Sequence, residues 1–236
     1  MATFVMGDIH GEYVQLLDLL QKMNFCEKDD LYILGDVVDR GPNPIKAIQY
    51  LMTLPNCTCI AGNHELMALS CLKLLSNEVT DDFLINLSPE AMGQLTDWMY
   101  NGAQSTISEF TKLSVAERRD ILDFIGEFEA YWELEVNGQE YLLVHAGLDD
   151  FSKEKAIEDY AIDDLVWKRT DYDIPYFDNR IVITGHTPTQ LIQRNPRPGY
   201  IYRANNHIAI DCGACWEKGR LAAICLETGE EFYSRD

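Results

Sequence analysis

Five short β-rich segments of this chain each end at a glycine and at a side chain that carries a carboxylate, amide or imidazole. The five junctions are GDIHG at Gly7–Gly11, GDVVDRG at Gly35–Gly41, GNHE at Gly62–Glu65, HAG at His145–Gly147 and GHT at Gly185–Thr187. Ligand sites in α/β sheets lie beyond the strand ends, so loops of this kind can converge on one site. Four of the five histidines in the chain occur in these loops. That concentration indicates one shared polar site.

The segments around these loops predict an α/β protein with a strand-rich second half. Leu16, Leu17 and Leu20 fall on one face of a helix that begins near Tyr13. Asn137-Gly138 is a strong signal for a two-residue hairpin. Further helices are predicted from Pro44 and over Glu65–Leu75. The predicted strands are Thr3–Met6, Leu31–Leu34, Thr58–Ala61, Tyr131–Val136, Glu140–Val144, Ile181–Thr184, His207–Asp211, Leu221–Leu226 and Glu231–Ser234.

One long stretch interrupts this alternation of strands and helices. Residues from about 81 to 126 carry a helical pattern and no strand signal. The length of 236 residues suits one domain with a single core. We therefore predict a single domain of residues 1–236 with a helical insertion, which we call the cap, at about residues 81–126.

Charge and hydropathy exclude two classes of partner. The net charge of −20 argues against sequence-independent binding of nucleic acid, which needs a basic face. No apolar run of 18 residues occurs, so no membrane span and no membrane partner are expected. The first residues lack the basic and apolar regions of a secretion signal, and seven scattered cysteines suit a reducing compartment. We therefore expect a cytoplasmic protein.

The side chains in the five loops are those that bind hard or borderline divalent metal ions. They offer carboxylate and amide oxygens and imidazole nitrogens, and no thiolate. Asp8 and His10 are two residues apart, so both can point the same way from an extended segment. Two bound ions would also place positive charge where an anionic substrate docks on this acidic chain.

The same motifs resemble those of the phosphoprotein phosphatase (PPP) family of calcineurin-like metallophosphoesterases, and are similar above all to its small bacterial and bacteriophage serine/threonine phosphatases. GDIHG, GDVVDRG and GNHE carry the resemblance. It continues through HAG, VWKR at Val166–Arg169, GHTP at Gly185–Pro188 and IDCGA at Ile210–Ala214. Family members often have threonine where this chain has Cys212. The resemblance implies a β-sandwich flanked by helices, in the layer order α-β-β-α.

The resemblance also implies a role for each matching residue. Asp8 and His10 would hold a first metal ion, Asp36 would bridge both ions, and Asn63, His145 and His186 would hold the second. Arg40 and Arg169 would bind the substrate phosphate, with Asn63 beside it. His64 would donate a proton to the leaving oxygen, and Asp39 would orient His64. We expect two divalent ions, manganese first, although iron, zinc and nickel also suit these ligands.

These roles imply hydrolysis of phosphomonoesters by metal-activated hydroxide, with His64 as general acid. The expected substrate is phosphoserine or phosphothreonine in a protein, or a phosphorylated small molecule. Related enzymes leave a second possibility open, a bis(5'-nucleosyl)-tetraphosphatase that hydrolyses diadenosine tetraphosphate. A non-catalytic metal-binding adaptor is a more remote third hypothesis. The sequence makes no prediction of the oligomeric state.

The cap bears on this choice of substrate. We expect Asn101–Thr106 and the helices around it to wall the substrate groove. Trp98, Tyr100 and Phe110 either stack on adenine or pack the cap, and packing is the commoner fate of such side chains. Glu65 is expected to open the helix that follows Asn63 and His64, where a carboxylate suits the positive end of the helix dipole.

Overall fold

A computed structural model describes residues 1–76 and 87–235 of the chain. Its strands are Thr3–Met6 (β1), Asp30–Ile33 (β2), Cys57–Cys59 (β3), Tyr131–Val136 (β4), Gln139–Val144 (β5), Arg180–Thr184 (β6), Tyr202–Ala204 (β7), His207–Ala209 (β8), Ala222–Cys225 (β9) and Glu231–Tyr233 (β10). Its helices are Tyr13–Lys22 (α1), Pro44–Leu51 (α2), Asn63–Leu74 (α3), Pro89–Tyr100 (α4), Gln104–Phe110 (α5), Val115–Gly126 (α6) and Ile162–Val166 (α7).

The strands form two five-stranded mixed sheets. The first has the order β10-β9-β1-β2-β3, with β1, β2 and β3 parallel. The second has the order β4-β5-β6-β8-β7, with β5, β6 and β8 parallel. Parallel strands end at the same edge of a sheet, so the loops after β1, β2 and β3 lie together, as do those after β5 and β6.

Alternating side chains divide the interior into layers. Phe4 and Met6 of β1 pack under the helices, while Val5 between them packs against the second sheet. On β5, Leu143 faces the first sheet, while Leu142 and Val144 face outward toward α7. This period of two is the pattern of strands buried on both faces. The predicted α-β-β-α arrangement of two sheets flanked by helices is therefore confirmed.

The cap contains helices α4, α5 and α6 in the part that the structure describes. Ser88 begins α4 by accepting a hydrogen bond from the backbone N–H of Ala91, and Ser114 begins α6 in the same way. Trp98 and Phe110 are fully buried, so they pack the cap. Residues 81–86 of the predicted insertion lie outside the described residues. The division into one domain with an insertion stays a prediction.

Several predicted boundaries are wrong by one to three residues. The third strand covers Cys57–Cys59, and Ile60 makes only an isolated bridge with Glu129. The strand predicted over His207–Asp211 ends at Ala209, although the backbone N–H of Ile210 still donates to the carbonyl of Thr184 at 2.9 Å. Helix α3 begins at Asn63, two residues before the predicted start. The short elements β7 and α7 were not predicted, since three to five residues give no clear periodicity.

No helix within residues 1–76 and 87–235 combines the length and the apolar character needed to cross a bilayer.

Candidate metal centre and active site

The candidate residues meet where the two sheets adjoin. The backbone N–H of Gly185, after β6, donates to the carbonyl of His145, after β5, at 2.8 Å. His145 in turn reaches the first sheet, because its Nδ1 lies 2.5 Å from the carbonyl oxygen of Leu34. The ends of parallel strands in both sheets therefore surround one buried polar space, as the sequence predicts.

Two groups of potential ligands share a single carboxylate. His10, Asp36 and His64 form one group, and Asp36, His145 and His186 form the other; within each, the ligand atoms lie within 4.8 Å of one another. We call these the first and second clusters. The membership of Asp36 in both is what its predicted bridging role requires.

The first cluster joins side chains that follow β1, β2 and β3. His10 places Nδ1 at 3.0 Å from the carbonyl oxygen of Val38, and its Nε2 lies 3.4 Å from Asp36 Oδ2. An Nδ1–H that donates to a carbonyl leaves Nε2 unprotonated for a metal. His64 Nε2 lies farther away, at 3.9 Å from Asp36 Oδ2. The geometry thus admits His64 as a ligand as well as a proton donor.

The second cluster gathers side chains from both sheets. His145 Nε2 lies 3.3 Å from Asp36 Oδ1 and 3.1 Å from Asn63 Oδ1. His186 Nδ1 lies 3.0 Å from the same oxygen of Asn63. Asn63 is available because it is the first residue of α3, directly beyond β3. All four predicted partners of a second metal therefore lie together.

Asp8 is buried beside the second cluster. Its two oxygens accept the backbone N–H of His186 at 3.0 and 3.1 Å. Burial raises its pKa well above the usual range, and the charges of Asp211 and Asp36 add to the rise. Its pairing with His10 on one ion stays a prediction. Asp211, whose Oδ1 accepts the backbone N–H of Gly213, stabilises a turn.

The loops hold candidate residues in an unfavourable backbone conformation. Of the ten non-glycine residues with positive φ in the described part of the chain, five are candidate site residues: His10, Asp36, Asp39, Arg40 and His186. Each such residue costs on the order of 1–3 kcal/mol and persists only where its surroundings fix it. Strain of this kind clusters at functional sites, and its coincidence with the predicted residues supports their selection.

Two glycines allow the ligands to approach the backbone closely. A Cβ at Gly62 would collide with a carboxylate oxygen of Asp36, and one at Gly185 would collide with an oxygen of Asp8. Neither position has room for a side chain. The glycines of the GNH and GHT motifs are therefore required by the carboxylates that pack on them.

Glu65 has a larger role than its predicted place at a helix start. Its fully buried carboxylate accepts the backbone N–H groups of Asp36 at 2.7 Å, Val37 at 2.8 Å, Val38 at 3.2 Å and Gly62 at 3.0 Å. It therefore fixes the loop after β2 to the start of α3. The sequence showed only a carboxylate in the first turn of a helix, and nothing local pointed to the loop after β2.

His64 and Asp39 form a buried pair. His64 Nδ1 lies 2.7 Å from Asp39 Oδ2, and both side chains are fully buried. Burial lowers the pKa of His64, but the Asp36 charge and the Asp39 hydrogen bond outweigh it, so that the pKa is raised. The raised pKa favours protonation of Nε2 once the Arg40 guanidinium, which donates to that nitrogen at 2.8 Å in this structure, turns away from it. The orienting role predicted for Asp39 agrees with this geometry.

The two predicted phosphate-binding arginines differ in their setting. Arg40 reaches the first cluster, with Nη1 at 2.7 Å from His10 Nε2 and Nη2 at 2.8 Å from His64 Nε2. Arg169 is exposed, as is Arg40, and its charge contributes to the lowered pKa of His186, which burial and His145 chiefly cause. Thr170 fixes the Arg169 loop by donating to the carbonyl of Ala146 at 2.8 Å.

The arrangement fits divalent metal ions. Burial would raise the pKa of Asp36, but four surrounding imidazoles, led by His145, hold it below its usual range. Burial brings the pKa values of His10 and His186 to about 3, so both rings are neutral at physiological pH and can bind a cation. Neutral imidazoles around crowded carboxylates, with amide oxygen and no thiolate, are a donor set for such ions.

We predict that Asp36→Asn weakens both candidate metal sites at once, because this carboxylate belongs to both clusters. The loss of affinity should be at least about 100-fold, since even outer-shell partners account for 10–100-fold. Metal content after dialysis measures it, with His10→Asn as the matched variant that alters one cluster. An Asp36→Asn protein that keeps two tightly held ions would contradict the shared role.

We predict that Glu65→Gln destabilises the protein by about 2 kcal/mol or more, because an amide cannot accept four N–H groups and its own N–H₂ faces them. Urea unfolding measures this change. Glu117→Gln is the matched control, since Glu117 holds the same third position in α6 but is exposed. It should change the free energy of unfolding by less than about 0.5 kcal/mol. Equal effects would show that Glu65 acts only as a helix cap.

Comparison with known proteins places this geometry in a family. A family model described as calcineurin-like phosphoesterase matches residues 1–209. The symmetrical bis(5'-nucleosyl)-tetraphosphatase of Erwinia tasmaniensis is 33% identical over 119 residues, which cover 49% of this chain and 43% of that protein. The protein of the same name from Citrobacter koseri is 33% identical over 120 residues, with 49% and 42% covered. The match thus spans less than half the length of these relatives.

Solved structures share the fold at low sequence identity. A candidate diadenosine tetraphosphatase superposes with a TM-score of 0.63 at 20% identity, covering 98% of this chain and 91% of that one. A Saccharomyces cerevisiae serine/threonine phosphatase with similarity to human phosphatase PP5 gives 0.58 at 16% identity, with 98% and 79% covered. The match to residues 1–209, together with the motifs and the two clusters that they form, shows that the chain belongs to the calcineurin-like phosphoesterase family.

Proposed function

We propose that this chain hydrolyses phosphomonoesters with a pair of divalent metal ions, and that its main substrates are phosphoserine and phosphothreonine in proteins. The observation that carries the proposal is the buried pair in which Asp39 lies 2.7 Å from Nδ1 of His64, a member of the first cluster. A metal-binding adaptor needs no such proton donor. A phosphatase acting on alkyl esters does need one.

The chain's own residues supply binding and proton transfer. Arg40 and Arg169 bind the phosphoryl oxygens, where a guanidinium offers two parallel N–H donors. Asp8, His10, Asp36, Asn63, His145 and His186 would hold the ions, which we expect to be manganese and which would activate water and withdraw charge from the phosphoryl group. His64 gives its Nε2 proton to the departing oxygen, and Asp39 keeps the ring oriented for that transfer.

The leaving group favours an alkyl phosphomonoester. A serine or threonine alkoxide is a very poor leaving group, so a positioned general acid lowers its barrier most. A nucleoside diphosphate, the leaving group of symmetrical tetraphosphate cleavage, departs readily as an anion. A buried acid–carboxylate pair is therefore of greater use on a protein phosphoester.

An open cleft along α3, the helix that begins with Asn63 and His64, also supports a protein substrate. The cleft holds about 490 Å³ between α3, α4 and α7. It presents the exposed aromatic side chains of Tyr100 and Trp167 and the carboxylates of Asp97 and Asp163. Among the described residues that line it there is no lysine or arginine. A polyphosphate chain would meet repulsion here, whereas an apolar or basic peptide segment would not.

Hydrolysis of dinucleoside tetraphosphates is the second candidate. The relatives of known name that match this chain are symmetrical bis(5'-nucleosyl)-tetraphosphatases. Tyr100 and Trp167 could also stack on a nucleobase. If this chain prefers a dinucleoside tetraphosphate, we expect one adenine of that substrate to bind in the cleft.

A parallel assay separates the two candidates. Manganese-loaded protein is given a phosphoserine peptide, p-nitrophenyl phosphate and diadenosine tetraphosphate, and kcat/KM is measured for each. We expect the peptide to exceed the dinucleotide, and we expect chelation to abolish activity until manganese is restored. A larger kcat/KM for diadenosine tetraphosphate would replace our first candidate with the second. Full activity in protein shown to be metal-free would exclude both.

We predict that His64→Asn lowers kcat on the phosphoserine peptide by about 10²–10⁴-fold, the usual range for a general acid. The loss on p-nitrophenyl phosphate should be distinctly smaller, because p-nitrophenolate leaves without a proton. Metal content, measured on the same samples, should stay unchanged. The control is His207→Asn, a buried histidine outside both clusters whose Nε2 lies 3.0 Å from the carbonyl oxygen of Ile174.

In the control, the ratio of activities on the two substrates should remain that of the unaltered protein. Equal losses on both substrates in His64→Asn would assign the proton to another donor. Loss of a metal ion in His64→Asn would instead make His64 a ligand of the first cluster.

A further inference from the structure

The carboxylate of Asp39 is held from the cap as well as by His64. The indole Nε1 of Trp98 donates to Asp39 Oδ2 at 2.7 Å, the same oxygen that His64 Nδ1 approaches at 2.7 Å. The hydroxyl of Thr106 donates to the other oxygen, Oδ1, at 2.6 Å. Trp98 lies in α4 and Thr106 in α5, and all four side chains are fully buried.

The Thr106 hydroxyl has one orientation open to it. Its oxygen accepts the backbone N–H of Asp39 at 3.0 Å, so its own proton is directed to Asp39 Oδ1. The backbone is fixed as well, because the N–H of Arg40 donates to the carbonyl of Gly102 at 2.9 Å. Asp39 and Arg40 both have positive φ, a conformation that needs such support.

These contacts account for how a carboxylate can be buried here. A buried carboxylate that lacks hydrogen bonds costs several kcal/mol, and its free rotation would let His64 turn. Trp98 and Thr106 bring the side-chain donors on this carboxylate to three, two on Oδ2 and one on Oδ1. Thr106 occupies Oδ1 and Trp98 occupies one side of Oδ2. The other side of Oδ2 faces His64 Nδ1, which leaves Nε2 on the side of the ring away from Asp39.

We propose that Trp98 and Thr106 are positioning residues for proton donation, acting through Asp39 on His64. The inference rests on the proposed function, since it concerns the same general acid. The cap then contributes to the active site, because residues of α4 and α5 determine the orientation of the Asp39–His64 pair. A purely structural Trp98 would need only its ring volume, and a purely structural Thr106 only its shape.

The first test uses substrates that differ in leaving group. Trp98→Phe removes the N–H and keeps an aromatic ring, and Thr106→Val removes the hydroxyl and keeps the shape. Manganese-loaded full-length protein hydrolyses phenyl phosphate, with a poor leaving group, and p-nitrophenyl phosphate, with a good one. We expect kcat on phenyl phosphate to fall about tenfold in each variant, the effect of one lost hydrogen bond to a charged group. KM and kcat on p-nitrophenyl phosphate should change much less.

Two further variants make this outcome specific. Thr106→Ser retains the hydroxyl and should restore kcat on phenyl phosphate. Trp132→Phe makes the same chemical change in β4, where the ring packs on Tyr32 between the sheets, and should leave both activities unchanged. Combining Trp98→Phe with His64→Asn should cost no more than His64→Asn alone, because both act on one proton transfer.

A second readout does not depend on activity. The chain has four tryptophans, and Trp98→Phe identifies the indole N–H resonance of Trp98 by its disappearance. In Asp39→Asn that resonance should shift, because its acceptor has lost its charge, while that of Trp132 stays in place. A Trp98 resonance that does not move would overturn the assigned contact.

The outcomes also separate this inference from the proposed function. Unaltered protein that hydrolyses neither aryl phosphate would overturn both. Active protein whose Trp98→Phe and Thr106→Val variants lose both activities equally would overturn this inference alone and assign the two residues to the stability of the cap.

Discussion

The geometry of the site depends on one buried carboxylate, that of Asp36. Its Oδ2 faces His10 at 3.4 Å and its Oδ1 faces His145 at 3.3 Å, so it joins loops from both sheets. A buried carboxylate is stable only when hydrogen-bond donors or an opposite charge face it; Asp36 Oδ1 accepts the backbone N–H of His64 at 3.1 Å, and a bound cation would supply the charge. The two sheet edges therefore meet at polar contacts of Asp36 as well as at the apolar core between them.

The loop that carries Asp36 has a strained backbone, and neighbouring side chains hold it in that conformation. Asp36 and Asp39 have positive φ in the same loop, which the surrounding hydrogen bonds must hold in place. Glu65 accepts four N–H groups from this loop and from Gly62. The cap secures the far end of the loop through the carbonyl of Gly102. Strain at the ligands is thus offset by contacts that themselves touch no substrate.

The sequence predicts the polar residues of this site better than it predicts the residues that hold them in position. Glycine-flanked Asp, Asn and His at strand ends are local signals, so the sequence indicates that His10, Asp36, His145 and His186 meet, while the presence of His64 in the first cluster was not predicted. Strand limits were less certain, since β-rich Ile60 lies beyond β3 and pairs only once. The bonds from Trp98 and Thr106 to Asp39 span 59 and 67 residues, and no local periodicity reports a contact at that separation.

The cap therefore combines two tasks that are commonly assigned to different parts of an enzyme. Tyr100 and Asp97 of α4 line the cleft along α3, while Trp98, between them in sequence, points inward to Asp39. Neighbouring residues of a helix point about 100° apart, so one turn of α4 can face the cleft and the Asp39–His64 pair together. A substitution at Asp97 or Tyr100 that moved the backbone of this turn would also move the indole of Trp98 relative to Asp39. The cleft and the Asp39–His64 pair are therefore coupled through one turn of α4.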